Sequence, residues 1–245
     1  MRIAAIADIH GNLPALDAVL ADIESAGVDL VVNLGDIVSG GVQPRETADR
    51  LIPLALPTVR GNHERQVLTL PVDRLGASDR LARESLSARH RTWLASLPLT
   101  SELAPGVVAF HGSPTNDTVY LLETVEPSGV RRATTDEVVE RLGAYAATPL
   151  LLCGHTHLQR SMRLPTGALV GNPGSVGWPA YDDDRPYPHV MEAGTPHARY
   201  AVADDRDGTW QLSFRSVRYD WEHAASIAES NGRPDVANAL LTGRV

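Results

Sequence analysis

Lysine is absent from the 245 residues, and all 22 basic positions are arginine. That absence excludes a Walker-type phosphate loop, which needs a lysine, and it excludes Schiff-base chemistry. A single cysteine, Cys153, cannot form an intrachain disulfide, and a reduced, cytoplasmic setting is the simplest expectation. No apolar run approaches the length of a bilayer span. The opening MRIAAIADIH lacks the charged-then-apolar pattern of a secretion signal. Positive charge is in deficit: the formal net charge of −8 disfavours a broad nucleic-acid or anionic-membrane surface. It leaves an anionic substrate open, because bound metal ions reverse the local sign.

The composition, 43% apolar and 21% charged, is ordinary for a globular protein. The length suits one domain over 1–245 with a well-buried core. Residues 2–7, 29–34, 58–60, 106–110 and 149–153 are short apolar runs and read as strands. After the first of them, Gly11-Asn12-Leu13-Pro14 opens a helix. Leu16, Val19, Leu20 and Ile23 recur in it at helical spacing before Gly27 closes it. Further helices are expected over 44–53 and over 78–96, the latter with Leu81, Leu86, Trp93 and Leu94 in the core. Another should run from the capping-box pair Thr134 and Glu137 to about Tyr145. Hairpins are expected around Pro165-Thr166-Gly167 and Asp207-Gly208. A helical tail over 220–243 is broken at Gly232-Arg233-Pro234. Alternating strands and helices indicate an α/β fold, and two packed sheets with helices outside fit the pattern.

Five strand candidates end in loops that offer metal-type ligands: Asp8-Ile9-His10, Gly35-Asp36, Gly61-Asn62-His63, His111 and His155-Thr156-His157. In α/β sheets ligands gather beyond the carboxyl ends of strands, so the five loops are expected to converge. Carboxylate, amide oxygen and neutral imidazole form a mixed N/O set without thiolate. That set favours manganese, iron, zinc or cobalt over copper(I) or an iron–sulfur cluster. Two such ions a few ångströms apart can clamp an in-line phosphoryl displacement. Each motif alone is weak, since an Asp-x-His can merely cap a turn. The ordered set, holding five of the nine histidines, carries the inference.

The series Asp-x-His, Gly-Asp, Gly-Asn-His-Glu, His-Gly, Gly-His-x-His over residues 8 to 157 resembles the calcineurin-like metallophosphoesterases. The later Asn172-Pro173-Gly174-Ser175 also looks like that family, and Asp8-Ile9-His10-Gly11-Asn12 and His111-Gly112-Ser113-Pro114 resemble its compact bacterial and archaeal phosphodiesterase branch. The resemblance implies a four-layer α-β-β-α sandwich with two mixed sheets and a dinuclear metal site at strand ends. It implies two divalent metal ions, manganese first, with iron, zinc, cobalt, nickel or magnesium as alternatives. Asp8, His10 and His157 would hold one, Asn62, His111 and His155 the other, and Asp36 would bridge them. His63 would bind no metal. It would sit over the scissile phosphate and protonate the leaving oxygen while a metal-bridging hydroxide attacks in line. The implied activity is hydrolysis of phosphodiesters or small-molecule phosphate esters, nucleotide diesters included. The alternatives are a protein serine/threonine phosphatase and a catalytically silent scaffold of the same fold. The complete ligand set argues against the scaffold, and oligomeric state stays open.

The protein phosphatases of this superfamily carry Gly-Asp-x-x-Asp-Arg-Gly. This chain has Gly35-Asp36-Ile37-Val38-Ser39-Gly40-Gly41. The second Asp and the phosphate-clamping Arg are missing, so His63 needs support from elsewhere. Tight grip on a monoester dianion is not expected, which tilts the reading toward diesters. Residues 174–198 are a Pro/Gly/Asp-rich stretch expected to form a loop near the metals. It is either solvated or a lid whose Trp178 and Tyr181 stack on substrate. His90 is expected on the surface, His197 and His223 lie outside any motif, and Cys153 is expected in the core. Arg65 and Arg160 are as readily surface ion-pair residues as substrate contacts.

Overall fold

The computed structural model describes residues 1–245. The chain runs through β1 (Arg2–Ile6), α1 (Leu13–Ser25), β2 (Leu30–Asn33), α2 (Pro44–Leu51), α3 (Asn62–Thr69), α4 (Ala77–Ser85) and α5 (Ala88–Ser96). It continues through β3 (Thr100–Ala104), β4 (Val107–Phe110), β5 (Glu123–Glu126), β6 (Gly129–Arg132), α6 (Thr135–Leu142), β7 (Leu150–Leu152), β8 (Gln159–Arg163) and β9 (Leu169–Pro173). It closes with β10 (Ala180–Asp183), β11 (His189–Glu192), β12 (Ala198–Asp204), β13 (Gln211–Val217), α7 (Trp221–Ser230) and α8 (Pro234–Thr242).

Two mixed sheets carry the fold, one ordered β13-β12-β1-β2 and the other β3-β4-β7-β9-β8. In the first, β1 pairs parallel with β2 and antiparallel with β12. In the second, β4, β7 and β9 run parallel, with β3 and β8 antiparallel at the edges. Side chains alternate across β1. Ile3 and Ala5 face the other sheet, where they meet Val107, Leu150 and Leu152. Ala4 and Ile6 face outward onto Leu16 and Val19 of α1 and onto Ala224 of α7. On the far side of the second sheet Val108, Phe110 and Leu151 pack against Val138 and Leu142 of α6. The result is the four-layer α-β-β-α sandwich. No helix is long and apolar enough to cross a membrane.

Local chemistry sets the helix ends that matter for the site. Asn12 caps α1, its Oδ1 accepting from Ala15 N at 3.2 Å, while its Nδ2 donates to the Gly177 carbonyl at 3.0 Å. Helix α3 begins at the Gly-Asn-His-Glu motif itself, with Gly61 as its cap. Helix α6 opens on Thr134, whose Oγ1 accepts from Glu137 N while Glu137 Oε2 accepts from Thr134 N. A cap of this kind contributes about 1 kcal/mol.

Several stretches differ from the sequence reading. Thr58–Arg60 is not a strand; it makes one parallel bridge, Asn33 to Thr58, and Arg60 N then turns away to the Pro98 carbonyl. Residues 78–96 form two helices, because Ser87 Oγ accepts from His90 N and starts α5 afresh. Leu86 and Leu94 are buried there, but Leu81 and Trp93 are only half-buried. His90 is not on the surface. It is 2% exposed, and its Nε2 donates to Asp49 Oδ1 at 2.9 Å. Residues 174–198 are not an irregular loop. They contain the β10–β11 hairpin, in which Ala180, His189 and Met191 are buried.

Candidate active site

The ligand-bearing loops lie at the carboxyl ends of β1, β2, β4 and β7, joined by the start of α3. Six non-glycine residues in the chain have positive φ. Five of them are candidate ligands: Asp8 (+56°), His10 (+51°), Asp36 (+53°), His155 (+72°) and His157 (+58°). Left-handed backbone costs a residue with a Cβ about 1 kcal/mol or more, and such strain persists only where surroundings hold it. Here the hold is backbone to backbone. Asp8 N donates to the Gly35 carbonyl at 3.0 Å, His10 N to Asp36 at 3.0 Å, and Gly11 N to Ile37 at 2.8 Å. Gly177 N donates to the Asp8 carbonyl at 3.0 Å, and a Cβ on Gly177 would lie 1.8 Å from the Ile9 oxygen. Only glycine lets those two loops touch.

The candidates form two groups. Ligand atoms of Asp8, His10 and His157 lie within 4.8 Å of one another, and so do those of Asp36, His111 and His155. Asn62 joins the cleft wall beside Asp36 and His155. Asp8 and His111 are wholly buried beneath. All eight predicted residues are therefore brought together.

The hydrogen bonds around the imidazoles fix their tautomers. Nδ1 of His111 donates to the Leu34 carbonyl at 2.7 Å, Nδ1 of His157 to Trp178 at 2.6 Å, and Nδ1 of His10 to Ser39. In the neutral rings of His10 and His157 Nε2 is thereby left as a lone pair aimed inward, the arrangement found around bound metals, while Nε2 of His111 faces Asp36. Nε2 of His10 and Nε2 of His157 face each other at 3.0 Å. Two acceptors at that distance are explained by a cation that both would ligate. Oδ1 of Asn62 is buried without any hydrogen-bond partner, although buried polar atoms are nearly always paired, and Nε2 of His111 has only the Asp36 carboxylate, 3.1 Å away. The donor set thus fits divalent cations on geometry alone.

Electrostatics agree. Burial pushes the Asp8 carboxyl up to about 8, opposed by His111. Burial pushes His10 down to about 4 and His155 down to about 3, which keeps both imidazoles neutral. Burial also opposes charge on His111, but Asp36, 3.1 Å away, and Asp8 raise it to about 10. His63 is likewise pushed down by burial and outweighed by Asp36 and Asp79, ending at about 9. The two buried carboxylates call for positive charge between them.

His63 stands apart from both groups. Its backbone N donates to Asp36 Oδ1 at 3.0 Å, and its ring Nδ1 donates to Asp79 Oδ1 at 2.6 Å. Asp79, in the first turn of α4, also accepts from Ser39 Oγ at 2.6 Å. Ser39 occupies the position where the protein phosphatases have their second Asp, so the carboxylate comes from a different element. Sequence reasoning missed Asp79, because an Asp in a polar helix turn carries no signal of burial. It also missed Glu64, which is fully buried and accepts from Asp36 N, Ile37 N and Gly61 N at 2.8–2.9 Å. The motif Gly-Asn-His-Glu contained that signal. Asn172 and Ser175 brace the loops from behind: Asn172 Nδ2 donates to the Gly154 carbonyl at 2.6 Å, and Ser175 Oγ to Asp8 at 2.8 Å.

The cleft above these groups holds about 350 Å³. Trp178 and Tyr181 line it, but their rings pack edge-on against ligand imidazoles, Trp178 on His10 at 5.0 Å and Tyr181 on His157 at 4.6 Å. Tyr181 also donates to the His155 carbonyl at 3.2 Å. Both rings brace the ligands. Arg65 is engaged bidentately by Asp117 at 2.7 Å, and Arg160 lies 3.3 Å from Glu123. Cys153 is buried in the core and raised far above the usual thiol range by burial.

A family model described as calcineurin-like phosphoesterase matches residues 1–159. An uncharacterized protein of Methanocaldococcus jannaschii is 28% identical over 265 residues, covering 99% of this chain and 98% of that protein. A solved metallophosphoesterase from Sphaerobacter thermophilus is 26% identical, with 99% of this chain and 100% of that one covered and a TM-score of 0.75. A hypothetical protein from Pyrococcus horikoshii, 22% identical over 99% of this chain and 98% of its own, shares the fold with a TM-score of 0.79.

Proposed function

We propose that this chain, which belongs to the calcineurin-like phosphoesterases and is a metal-dependent phosphoester hydrolase, acts on phosphodiesters. One observation carries the preference for diesters. A Cβ at Gly40 would lie 1.8 Å from the His10 carbonyl oxygen. That position, which holds the phosphate-clamping arginine in the protein phosphatases, therefore accepts no side chain. The loop cannot present a guanidinium to a monoester dianion, and the arginine that does line the cleft, Arg233, is held by Asp235 and Ser78. A diester carries one charge fewer and depends less on such a clamp.

Asp8, His10 and His157 would hold one divalent cation, and Asn62, His111 and His155 the other, with Asp36 shared between them. Such a pair supplies Lewis acidity toward the phosphate and lowers the pKa of water. The mixed N/O donors suit manganese first. His63 donates its Nδ1–H to Asp79 in a 2.6 Å hydrogen bond, and because its pKa is raised to about 9 the ring is an imidazolium whose Nε2 also carries a proton, the one delivered to the leaving oxygen. Asp36 fixes the His63 backbone, and Glu64 fixes the Asp36 backbone. The lone cysteine, buried and unpaired, suits a cytoplasmic setting.

The test is hydrolysis of bis-(p-nitrophenyl) phosphate and p-nitrophenyl phosphate by metal-stripped protein. Mn²⁺, Mg²⁺, Zn²⁺, Co²⁺ or Ni²⁺ is restored in turn, with His63→Ala as control. Metal-restored diester cleavage that exceeds monoester cleavage is the expected result, and His63→Ala should lower it less than it lowers cleavage of a dialkyl phosphate, because p-nitrophenolate needs little protonation to leave. Faster monoester than diester turnover would overturn the substrate reading.

A further inference from the structure

The ligand-bearing cleft continues past Asn62 and His155 into a second cavity of about 710 Å³. Asn62, Gln66, Tyr120, His155 and Asp183 belong to the walls of both. His63, Asp79 and Trp178 line only the first, whereas Thr118, Arg141 and Arg185 line only the second. A phosphate held over Asn62 and His155 therefore has a chamber on either side. A monoester needs one of them. A diester has a second ester arm, and the chamber away from His63 is where it has room.

We propose that this second chamber is a binding site for the retained arm of the diester, and that the arm is polar, of mononucleotide size, and carries its own negative charge. The proposal rests on the diesterase reading and names the substrate class for the same site. The volume lies within the range of small-molecule sites. Its lining carries two carboxylates, Glu123 and Asp183, and two arginines in different states. Arg141 is fixed in the wall: Nη1 donates to the carbonyls of Tyr120, Leu121 and Glu123 at 2.8–3.0 Å, and Nη2 to Thr124 Oγ1 at 2.7 Å. Arg185 is anchored only by its backbone N, which donates to Asp183 Oδ1 at 2.9 Å. Its side chain is exposed, and its guanidinium has no hydrogen bond or ion pair within the chain. Glu123 is 2% exposed and answered by Arg160 at 3.3 Å inside the wall, Arg141 is answered by Glu137 at 3.7 Å, and the exposed Asp183 carboxylate engages the Arg185 backbone, not its guanidinium. A free guanidinium at a cavity that opens onto a phosphate-binding centre suits a second phosphate.

Calorimetric titration of the metal-loaded protein with thymidine 3′,5′-bisphosphate and with thymidine 5′-monophosphate tests this directly. Wild type should bind the bisphosphate at least tenfold more tightly. Arg185→Ala should erase that difference and leave monophosphate affinity unchanged. Equal affinities in wild type, or parallel loss of both ligands in the variant, would overturn the proposal. Kinetics add a second readout at constant leaving group. Arg185→Ala, or Val125→Trp placed to fill the chamber, should raise KM about tenfold for thymidine 3′-phosphate 5′-(p-nitrophenyl phosphate) and leave methyl p-nitrophenyl phosphate as in wild type. If wild type cleaves neither diester, the diesterase reading fails, and the calorimetry still decides whether the chamber takes an anionic arm.

Discussion

Replacing Asp79 by Asn separates proton delivery from everything else the site does. The side chain is 6% exposed, and its Oδ1 takes both the His63 Nδ1–H and the Ser39 hydroxyl at 2.6 Å. Asn keeps the shape and one acceptor oxygen, and both neighbours are donors, so the amide oxygen should turn toward them. What is lost is the charge on the acceptor. A hydrogen bond to a charged group is stronger than a neutral one by about 1–2 kcal/mol, which corresponds to roughly 5–30-fold in rate. The loss should fall on kcat and not on KM, because Asp79 touches His63 and not the cleft ligands. It should also depend on the leaving group. An alkoxide needs the proton that His63 holds, whereas p-nitrophenolate leaves with little help. The assay compares kcat for methyl p-nitrophenyl phosphate with that for a dialkyl phosphate, wild type against Asp79→Asn, with Tm recorded for both proteins. Equal losses on the two substrates, or a change confined to KM, would refute the assignment. Ser39→Ala should cost less, since the His10 bond uses the Ser39 backbone carbonyl.

Glu64→Gln retains one oxygen for three converging backbone N–H groups. It should cost about 2–4 kcal/mol, seen calorimetrically as a Tm lower by about 5–15 °C; an unchanged Tm would show that the three bonds are not needed to hold the Asp36 loop. Gly40→Ala drives a Cβ to 1.8 Å from the His10 oxygen, so it should lower Tm sharply and abolish metal binding. Gly76→Ala, with nothing within 4 Å of the added carbon, should shift stability by about 1 kcal/mol at most. Chelation should lower Tm, and re-adding a divalent cation at a hundred times its Kd should return about 2.7 kcal/mol per site; His157→Ala should reduce the bound metal from two equivalents to one.

The parts of the fold that were legible share one property: the signal and the structure lie in the same few residues. Strands β1, β2, β4 and β7 are apolar runs, and each ends in its own polar loop, so element and site could be read together. Asn12 and Thr134 announced helix starts through side chains that cap their own neighbours. What escaped notice depends on distant packing. Asp79 looks like any acidic residue in a polar helix turn, and only the approach of α4 to the Gly35–Gly41 loop buries it beside His63. His90 looked exposed between two arginines, yet its ring reaches Asp49 on α2. Strands β3, β5 and β6 lack fully alternating burial and left no periodic trace. Residues 174–198 were misread as irregular because proline and glycine dominate the composition, while the β10–β11 pairing rests on a few inward residues such as Ala180 and Met191.

Strand β1 lies between β2 and β12, so one side of it is completed only by residues translated long after it. Roughly two hundred residues separate these partners, and at ribosomal rates of about 5–20 residues per second that is a wait of about 10–40 s. During that interval Asp8 and His10 sit in a nascent segment whose sheet is half built, and the Ser175–Gly177 segment that clamps the Asp8 backbone has not yet arrived. The centre therefore cannot mature in step with translation. Asp8 and His10 precede the residues that lock them by that whole interval, and their final conformation is set only when those residues arrive.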